Sequence, residues 1–419
     1  MANFPSPPRW LRRGPLREGA FRSELHDERT ASLIGTALGV AFALAFVTGV
    51  ISHELQHPPS WLPLPTRPVW FYRFTQGLHV ASGLAAVPLL LAKLWTVYPR
   101  LFAWPPVTSL VHALERLSIG ALVAGAVFEL VTGLLNVAQW YPWHFPFPQT
   151  HFWVAWITVG ALLLHLAVKA PAIARGLRER PASRNAQEPG NALAPGNTQE
   201  PGNALAPQNA LAPREAPADA RPGAVSRRAL IGSTALAVFA VTAATIGQSV
   251  TSLRFLDLLA PRSPHDGPQD VPINRTAAQA GVLESAIDPG WVLEIGGPRP
   301  FRLSLEELGA LPQYRVRLPI ACVEGWSVDA EWQGVRLRDL LARAGVPAGA
   351  TIRVISLERY GGYAQSLMPH EYANDPATLL ALRLNGQPLS IDHGYPARVI
   401  APARPGVLQT KWVRRLETA

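Results

Sequence analysis

Apolar residues run almost uninterrupted through five stretches of the chain: Thr30 to Ser52, Thr75 to Tyr98, Leu117 to Trp140, Phe152 to Val168 and Ala229 to Leu253. Lys93 and Glu129 are the only charges inside them. Stretches of roughly 17–25 apolar residues are long enough to cross the hydrocarbon of a bilayer as helices, so the pattern predicts five spans. Beyond residue 271 the period shortens. Trp291 to Ile295 alternates as a strand does, Ser304 to Glu307 reads as a capping-box helix start, and Tyr314 to Ala321 is a strand leading into Cys322. Leu337, Leu340, Leu341 and Ala344 share one helical face, and Thr351 to Ser356 is again a strand. Leu382 to Leu389 predicts a hairpin whose Asn385-Gly386 pair suits a type I′ turn, and Ala397 to Ala401 and Lys411 to Leu416 complete an α+β pattern.

The net charge of +9 changes meaning once it is located. Arginines crowd the N-terminus, the segment after residue 168 and the pair Arg227-Arg228, all beside apolar runs, which is membrane topology and excludes a nucleic-acid partner. The loops around Arg100 and Arg116 and the segment Lys169 to Arg184 are basic, whereas Ala138 to Gln149 carries no charge. The positive-inside rule therefore predicts a cytoplasmic N-terminus and, after five crossings, an extracytoplasmic C-terminal domain on a multi-pass membrane protein. Lys93 falls where its ammonium would snorkel to the inner interface. The segments Gln187 to Pro195 and Gln199 to Pro207 repeat one another, and Asn209 to Pro213 repeats their end, so residues 176–226 predict a flexible linker too poor in apolar surface to fold. The chain divides as 1–29 tail, 30–175 four-helix membrane domain, 176–226 linker, 227–253 fifth helix, 254–271 connector and 272–419 outer domain. Ser226 to Leu230 resembles a twin-arginine export signal, and the same arginines also satisfy the positive-inside rule.

Candidate chemistry sits in two places. Cys322 is the sole cysteine, which permits no internal disulfide and no multi-cysteine cluster. A functional thiolate there works alone, or as the single protein ligand of a cofactor bringing its other ligands, and the bland alternative is a small buried apolar residue. The second place is the membrane domain, where a histidine within a span is costly. His79 lies in the outer part of the second span, His165 in the inner part of the fourth, and His151 at the fourth span's outer end. His151 and His165 are separated by about 21 Å of helical rise on nearly one face. By depth His79 matches His151, with His53 as a competitor, and His165 matches His112, which precedes the third span. Glu129, Asn136 and Gln139 mark the outer half of the third span as a place where protons could be taken up, while Glu129 pairing with a histidine is the plainer reading.

Four helices with histidines so placed resemble the di-haem cytochrome b membrane subunits that exchange electrons with quinones, over residues 30–175. That resemblance implies haem b, two per chain, with His79, His112, His151 and His165 as iron ligands and quinone or quinol as partner. The segment Cys322-Val-Glu-Gly-Trp-Ser327, followed by Trp332 to Leu337, resembles the molybdenum-ligand segment of the sulfite oxidase family, most of all the branch holding the periplasmic methionine sulfoxide reductase catalytic subunit. The resemblance extends over residues 272–417 and implies Mo-molybdopterin, with Cys322 binding the metal. In Leu389 to Arg398 it implies that His393 and Arg398 hold the pterin and its phosphate, and in Gln409-Thr410-Lys411-Trp412 that the lysine and backbone amides contact the cofactor. Asn274 falls where the family places an early pterin contact. The arginine-rich segment that binds sulfite in true sulfite oxidases is replaced here by Val323 to Trp326.

The expected fold is thus a membrane bundle of four helices plus a fifth anchoring helix, followed by an α+β sulfite oxidase-type molybdopterin-binding domain. The expected function is a lipid-embedded oxidoreductase passing electrons from quinol through b haems to oxygen-atom transfer at an outside-facing small sulfur substrate such as a sulfoxide. A dehydrogenase delivering electrons to quinone runs the same parts in reverse. A non-catalytic membrane protein that keeps the outer fold for binding a partner is the alternative of another class.

Overall fold

The computed structural model describes residues 6–14, 17, 23–59, 61–178, 225–263 and 266–419. Most of the proposed linker, 179–224, lies outside the described residues, as does part of the N-terminal tail. After a short helix α1 (Arg9–Arg13) come five helices long and apolar enough to cross a membrane: α2 (Glu28–Gln56), α3 (Phe71–Val97), α4 (Leu110–Val137), α5 (Phe147–Arg178) and α6 (Arg227–Ala243). Sequence and structure agree on where the long helices lie and differ at their ends. Ser109 accepts from the His112 amide and caps α4, so His112 lies in that helix's first turn, not before it. Helix α6 stops at Ala243 and continues as 3-10 turns, because Thr245 and Gly247 begin a tight reversal toward Ser249. The Lys93 ammonium donates to the Ala31 carbonyl at 2.7 Å, tying α3 to the first turn of α2. The outward faces leave Val40, Leu44, Leu91, Val127, Leu163 and Phe239 exposed, an amount of bare apolar surface that a water-facing bundle does not carry.

The remaining chain is an α+β domain. Small helices α7 (Ala277–Ala280) and α8 (Leu283–Ala286) lead into β1 (Val292–Ile295) and β2 (Phe301–Ser304), and Ser304 and Glu307 form the expected capping box of α9 (Leu305–Ala310). Strands β3 (Tyr314–Ala321) and β4 (Ser327–Arg336) precede α10 (Leu337–Arg343), β5 (Ile352–Ser356), β6 (Gln365–Met368) and α11 (His370–Ala373). The chain closes with β7 (Leu379–Leu384), β8 (Gln387–Pro388), β9 (Arg398–Ile400) and β10 (Val413–Thr418). One sheet has the order β2-β1-β10-β5-β6, with β1 parallel to β10, and the other β3-β4-β7-β8 with β9 also on β7. Strands β3 and β4 pair antiparallel from Tyr314–Gly334 up to Ala321–Ser327. Residues 322–326 are therefore the tip of a hairpin, held in place by its register. A buried cluster runs from the domain into the bundle, joining Leu55, Leu64 and Tyr72 to Ala321, Val335 and Val399.

Candidate functional site

Cys322 caps β3 and is 2% exposed. Its amide donates to the Trp326 carbonyl at 2.9 Å, and its carbonyl accepts from the Gly325 amide at 3.1 Å, so the hairpin tip closes on itself. Gly325 stands at φ +101°, a conformation that a side chain disfavours. Burial, followed by the nearby Glu324 carboxylate, pushes the thiol well above its ordinary pKa. Deprotonation there needs a compensating cation, which a metal provides. Among the described residues no three His, Cys, Asp or Glu side chains come together as a metal site, so a metal on this sulfur would draw its remaining ligands from elsewhere.

Cys322 lines one cleft with Pro272, Ile273, Asn274, Trp326, His393, Arg398, Gly406 and Lys411. Three cationic or titratable groups meet there, delivered by separate elements. Arg398, at the head of β9, is buried, gives one hydrogen bond to the His393 carbonyl at 3.3 Å, and leaves Nε without a partner. Burial lowers its pKa to about 10, so the guanidinium stays charged at neutral pH, a buried cation with no carboxylate opposite. His393 Nε2 meets the Pro268 carbonyl at 2.7 Å. A carbonyl only accepts, so Nε2 carries the hydrogen and Nδ1 is left as an acceptor. Burial and then Arg398 bring the His393 pKa down to about 4, which keeps the ring neutral. Lys411 donates to the carbonyls of Arg275 and Asp392, the latter at 3.1 Å, and burial followed by Arg398 brings it to about 7. The set is built for an anion. It leaves Arg398 Nε buried and unsatisfied, and the Asp392 and Glu358 carboxylates act on Lys411 and not on Arg398, a composition that a phosphate-bearing group fits.

Of the residues singled out in the sequence, the cleft brings together Cys322, Asn274, His393, Arg398 and Lys411. Gln409 and Thr410 are buried beside it and face other partners. Gln409 donates to the Arg404 carbonyl at 2.9 Å, and the Thr410 and Ser366 hydroxyls share a hydrogen bond of 2.8 Å. Sequence reasoning missed Arg262 and singled out Gln139 for proton uptake with Glu129 and Asn136, not for this contact. Both reach the Glu324 carboxylate, Arg262 at 3.5 Å, and Trp326 Nε1 donates to the same group at 3.0 Å. Gln139 turns out of α4 at φ +53° to make this contact, so it belongs to the domain interface and not to the membrane interior. No local pattern could have found these partners, since the contacts join segments far apart in the chain.

A second cavity, of about 210 Å³, lies inside the bundle. His53, His79, His151, Glu129, Asn136 and the glycines 49, 83 and 133 line it, and it reaches Val323, the residue after Cys322. The rings of His79 and His151 stand 6.2 Å apart at 76°. His79 Nδ1 meets the Ala45 carbonyl at 2.8 Å, which fixes its hydrogen there and leaves Nε2 free to ligate. His151 Nδ1 meets the Thr132 hydroxyl at 2.9 Å, and its Nε2 lies 3.1 Å from Glu129, the pairing that the sequence had offered as the plainer reading. His53 stacks on Phe152 at 3.6 Å. His112 and His165 do not line this cavity. His112 accepts from the Thr108 amide and hydroxyl, and His165 stands one turn before Lys169, which pairs with Glu115.

Comparison with known proteins accounts for the cleft. The family model of the oxidoreductase molybdopterin-binding domain matches residues 280–419. The uncharacterized oxidoreductase YuiH of Bacillus subtilis is 35% identical over 130 residues, covering 30% of this chain and 64% of that protein. The mitochondrial sulfite oxidase of Drosophila melanogaster is 34% identical over 153 residues, covering 30% of this chain and 27% of that protein. The crystal structure of the sulfane dehydrogenase SoxCD from Paracoccus pantotrophus matches 32% of this chain and 40% of that one at 29% identity, with a TM-score of 0.29. The chain thus spans less than two thirds of each of these proteins, and the family match falls on its C-terminal third. Residues 280–419 thus match an oxidoreductase molybdopterin-binding domain and have sulfite oxidase-like relatives.

Proposed function

We propose that the chain is a membrane-bound molybdenum oxidoreductase that draws electrons from quinol in the bilayer and delivers them to oxygen-atom transfer at an extracytoplasmic substrate of the sulfoxide class. The observation that carries this reading is the seating of one loop. The hairpin tip bearing Cys322 faces the cationic cleft on one side, and on the other it rests on α3, whose His79 lines the bundle cavity.

Cys322 would hold molybdenum, and Arg398, Lys411, His393 and Asn274 would hold the pterin with its phosphate. The bound metal would supply two-electron oxygen-atom chemistry. Arg398 offers the unpartnered Nε to the phosphate, and the anion in turn holds the proton on Lys411, whose burial otherwise drives it off near neutral pH. Neutral His393 orients by hydrogen bonding and adds no charge. In the bundle, His79 and His151 would hold one haem b, which supplies single-electron transfer. The Ala45 carbonyl sets the His79 tautomer for that role, and His151 Nε2 would exchange Glu129 for the iron. His112 and His165 do not line the bundle cavity, which would take one haem. The stoichiometry closes, because reducing a sulfoxide to its sulfide consumes two electrons and two protons and releases water, and oxidation of a quinol to its quinone provides both.

Protein purified from membranes is expected to contain one molybdenum per chain, to show a b-type α-band, and to oxidise a quinol only when a sulfoxide is present. Wild-type protein without molybdenum, or a Cys322→Ser variant with undiminished metal and turnover, overturns the assignment. Quinone reduction by a reduced sulfur compound, with no sulfoxide-dependent quinol oxidation, reverses its direction.

A further inference from the structure

The hairpin tip that carries Cys322 is held from outside its own domain at successive residues. The Gln76 carboxamide donates to the Val323 carbonyl at 2.8 Å, Gln139 donates to the Glu324 carboxylate, and the Ser249 hydroxyl donates to the Gly325 carbonyl at 2.5 Å. Arg73 Nε donates to the Ser327 hydroxyl at 2.7 Å while its guanidinium pairs with Asp329 at 2.9 Å. Packing acts alongside the hydrogen bonds. A methyl added at Gly325 would come 2.8 Å from a methyl of Val80, so the tip lies directly on α3. Gln76 is the best determined of these contacts. It is 4% exposed, and its oxygen accepts from the Ser52 hydroxyl at 3.0 Å, which leaves its NH2 no choice but Val323. Ser52 lies 3.2 Å from the buried Tyr72 hydroxyl, so the amide sits in a relay that begins inside the bundle. Val323 is bonded to Cys322, and a hydrogen bond on its carbonyl constrains the backbone from which the cysteine side chain departs.

We propose that Gln76 is a positioning residue of the molybdenum site: the membrane helix sets the Cys322 loop in its ligating form, so the site is completed by the bundle and not by the outer domain alone. This rests on reading Cys322 as the metal ligand. It assigns α3 two tasks one helical turn apart on the wall of the bundle cavity, His79 facing that cavity and Gln76 holding the Val323 carbonyl.

The test uses the full chain in detergent, made in a host unable to synthesise the pterin. Because the chain has one cysteine, alkylation by a small maleimide reports that thiol alone. Gln76→Leu keeps most of the volume and removes the donor, and is expected to raise the labelling rate of Cys322 at least tenfold. Arg67→Ala severs the Arg67–Asp375 pair at another part of the same interface and is expected to stay within twofold of wild type. Gln76→Glu supplies a pH signature. Its labelling rate relative to wild type should be high when the acid is ionised and fall toward one as pH is lowered, since the protonated acid regains a donor. An unchanged rate in Gln76→Leu, an equal rise in Arg67→Ala, or a Gln76→Glu ratio that is flat with pH each overturns the proposal. Metal content of the wild-type protein from a competent host is measured separately. Its absence would remove the enzymatic reading while leaving the labelling result to stand on its own.

Discussion

At the scale of single residues the cleft is a place where stability and function pull apart. Arg398 is buried with Nε unpartnered and no carboxylate facing it, an arrangement that costs the folded protein on the order of 1–3 kcal/mol until an anion arrives. Arg398→Met should therefore stabilise the cofactor-free chain by about that amount in chemical unfolding and reduce molybdenum retention at least tenfold. A variant that is destabilised without cofactor and still binds it would contradict the anion-binding role. Lys411 makes a related claim about pH. Its pKa in the folded chain is about 7 against an ordinary 10.5, so the unfolded chain binds more protons between those values. The penalty is present in full below about pH 7 and is relieved as pH rises toward 10.5, so cofactor-free protein should gain on the order of 5 kcal/mol across that window. Lys411→Met should remove this rise. Bound cofactor should flatten it as well, because the anion restores the proton.

At the scale of elements, most of the architecture was legible because it follows from local periodicity. Uninterrupted apolar runs give the five long helices, the Ser304–Glu307 box starts α9, and Asn385 and Gly386, at φ +45° and +80°, turn the β7–β8 hairpin. The helix ends were less legible, since the cap at Ser109 precedes the apolar run that marked the third span. Cleft residues close in sequence to a recognisable segment were readable, as His393 and Arg398 were. Arg262 and Gln76 were not, and Gln139 was singled out for another role, because their contacts come from docking between segments up to 247 residues apart, which no window of sequence records. Helix packing has its own illegible contacts. A methyl at Gly125 of α4 would fall 2.3 Å from the Thr158 hydroxyl of α5, so the glycine marks a close approach of two helices, the device by which membrane helices gain contact where the hydrophobic effect gives none. Gly125→Val should cost about 1–3 kcal/mol by overpacking and lower the apparent unfolding temperature in detergent by several degrees. The neighbouring Gly120, with open space about its Cβ position, should tolerate the same change with no measurable shift.

At the scale of the whole molecule, the two ends of the bundle differ in what their charges do. At one end, Arg67 and Arg73 are spent on the outer domain, pairing with Asp375 and Asp329. At the other lie Arg29, Arg100, Arg116, Lys169, Arg175, Arg178, Arg227 and Arg228, with Asp27 and Glu28 taking up Arg227 and Arg175 at the start of α2. A helix end rich in Lys and Arg resists translocation, so this second end is expected in the cytoplasm and the C-terminal domain outside. The same asymmetry sets the direction in which α3 presents its residues, with Gln76 toward the domain and Lys93 toward the basic end. The expectation is checked by labelling intact cells with a membrane-impermeant maleimide in a Cys322→Ser background. A cysteine at Tyr360, 83% exposed on the outer domain, should react without permeabilisation. A cysteine at Leu177, near the basic end of α5 and 48% exposed, should react only after the membrane is opened. The opposite pattern would place the Cys322 cleft in the cytoplasm, and with it any substrate drawn from outside the cell would be out of reach.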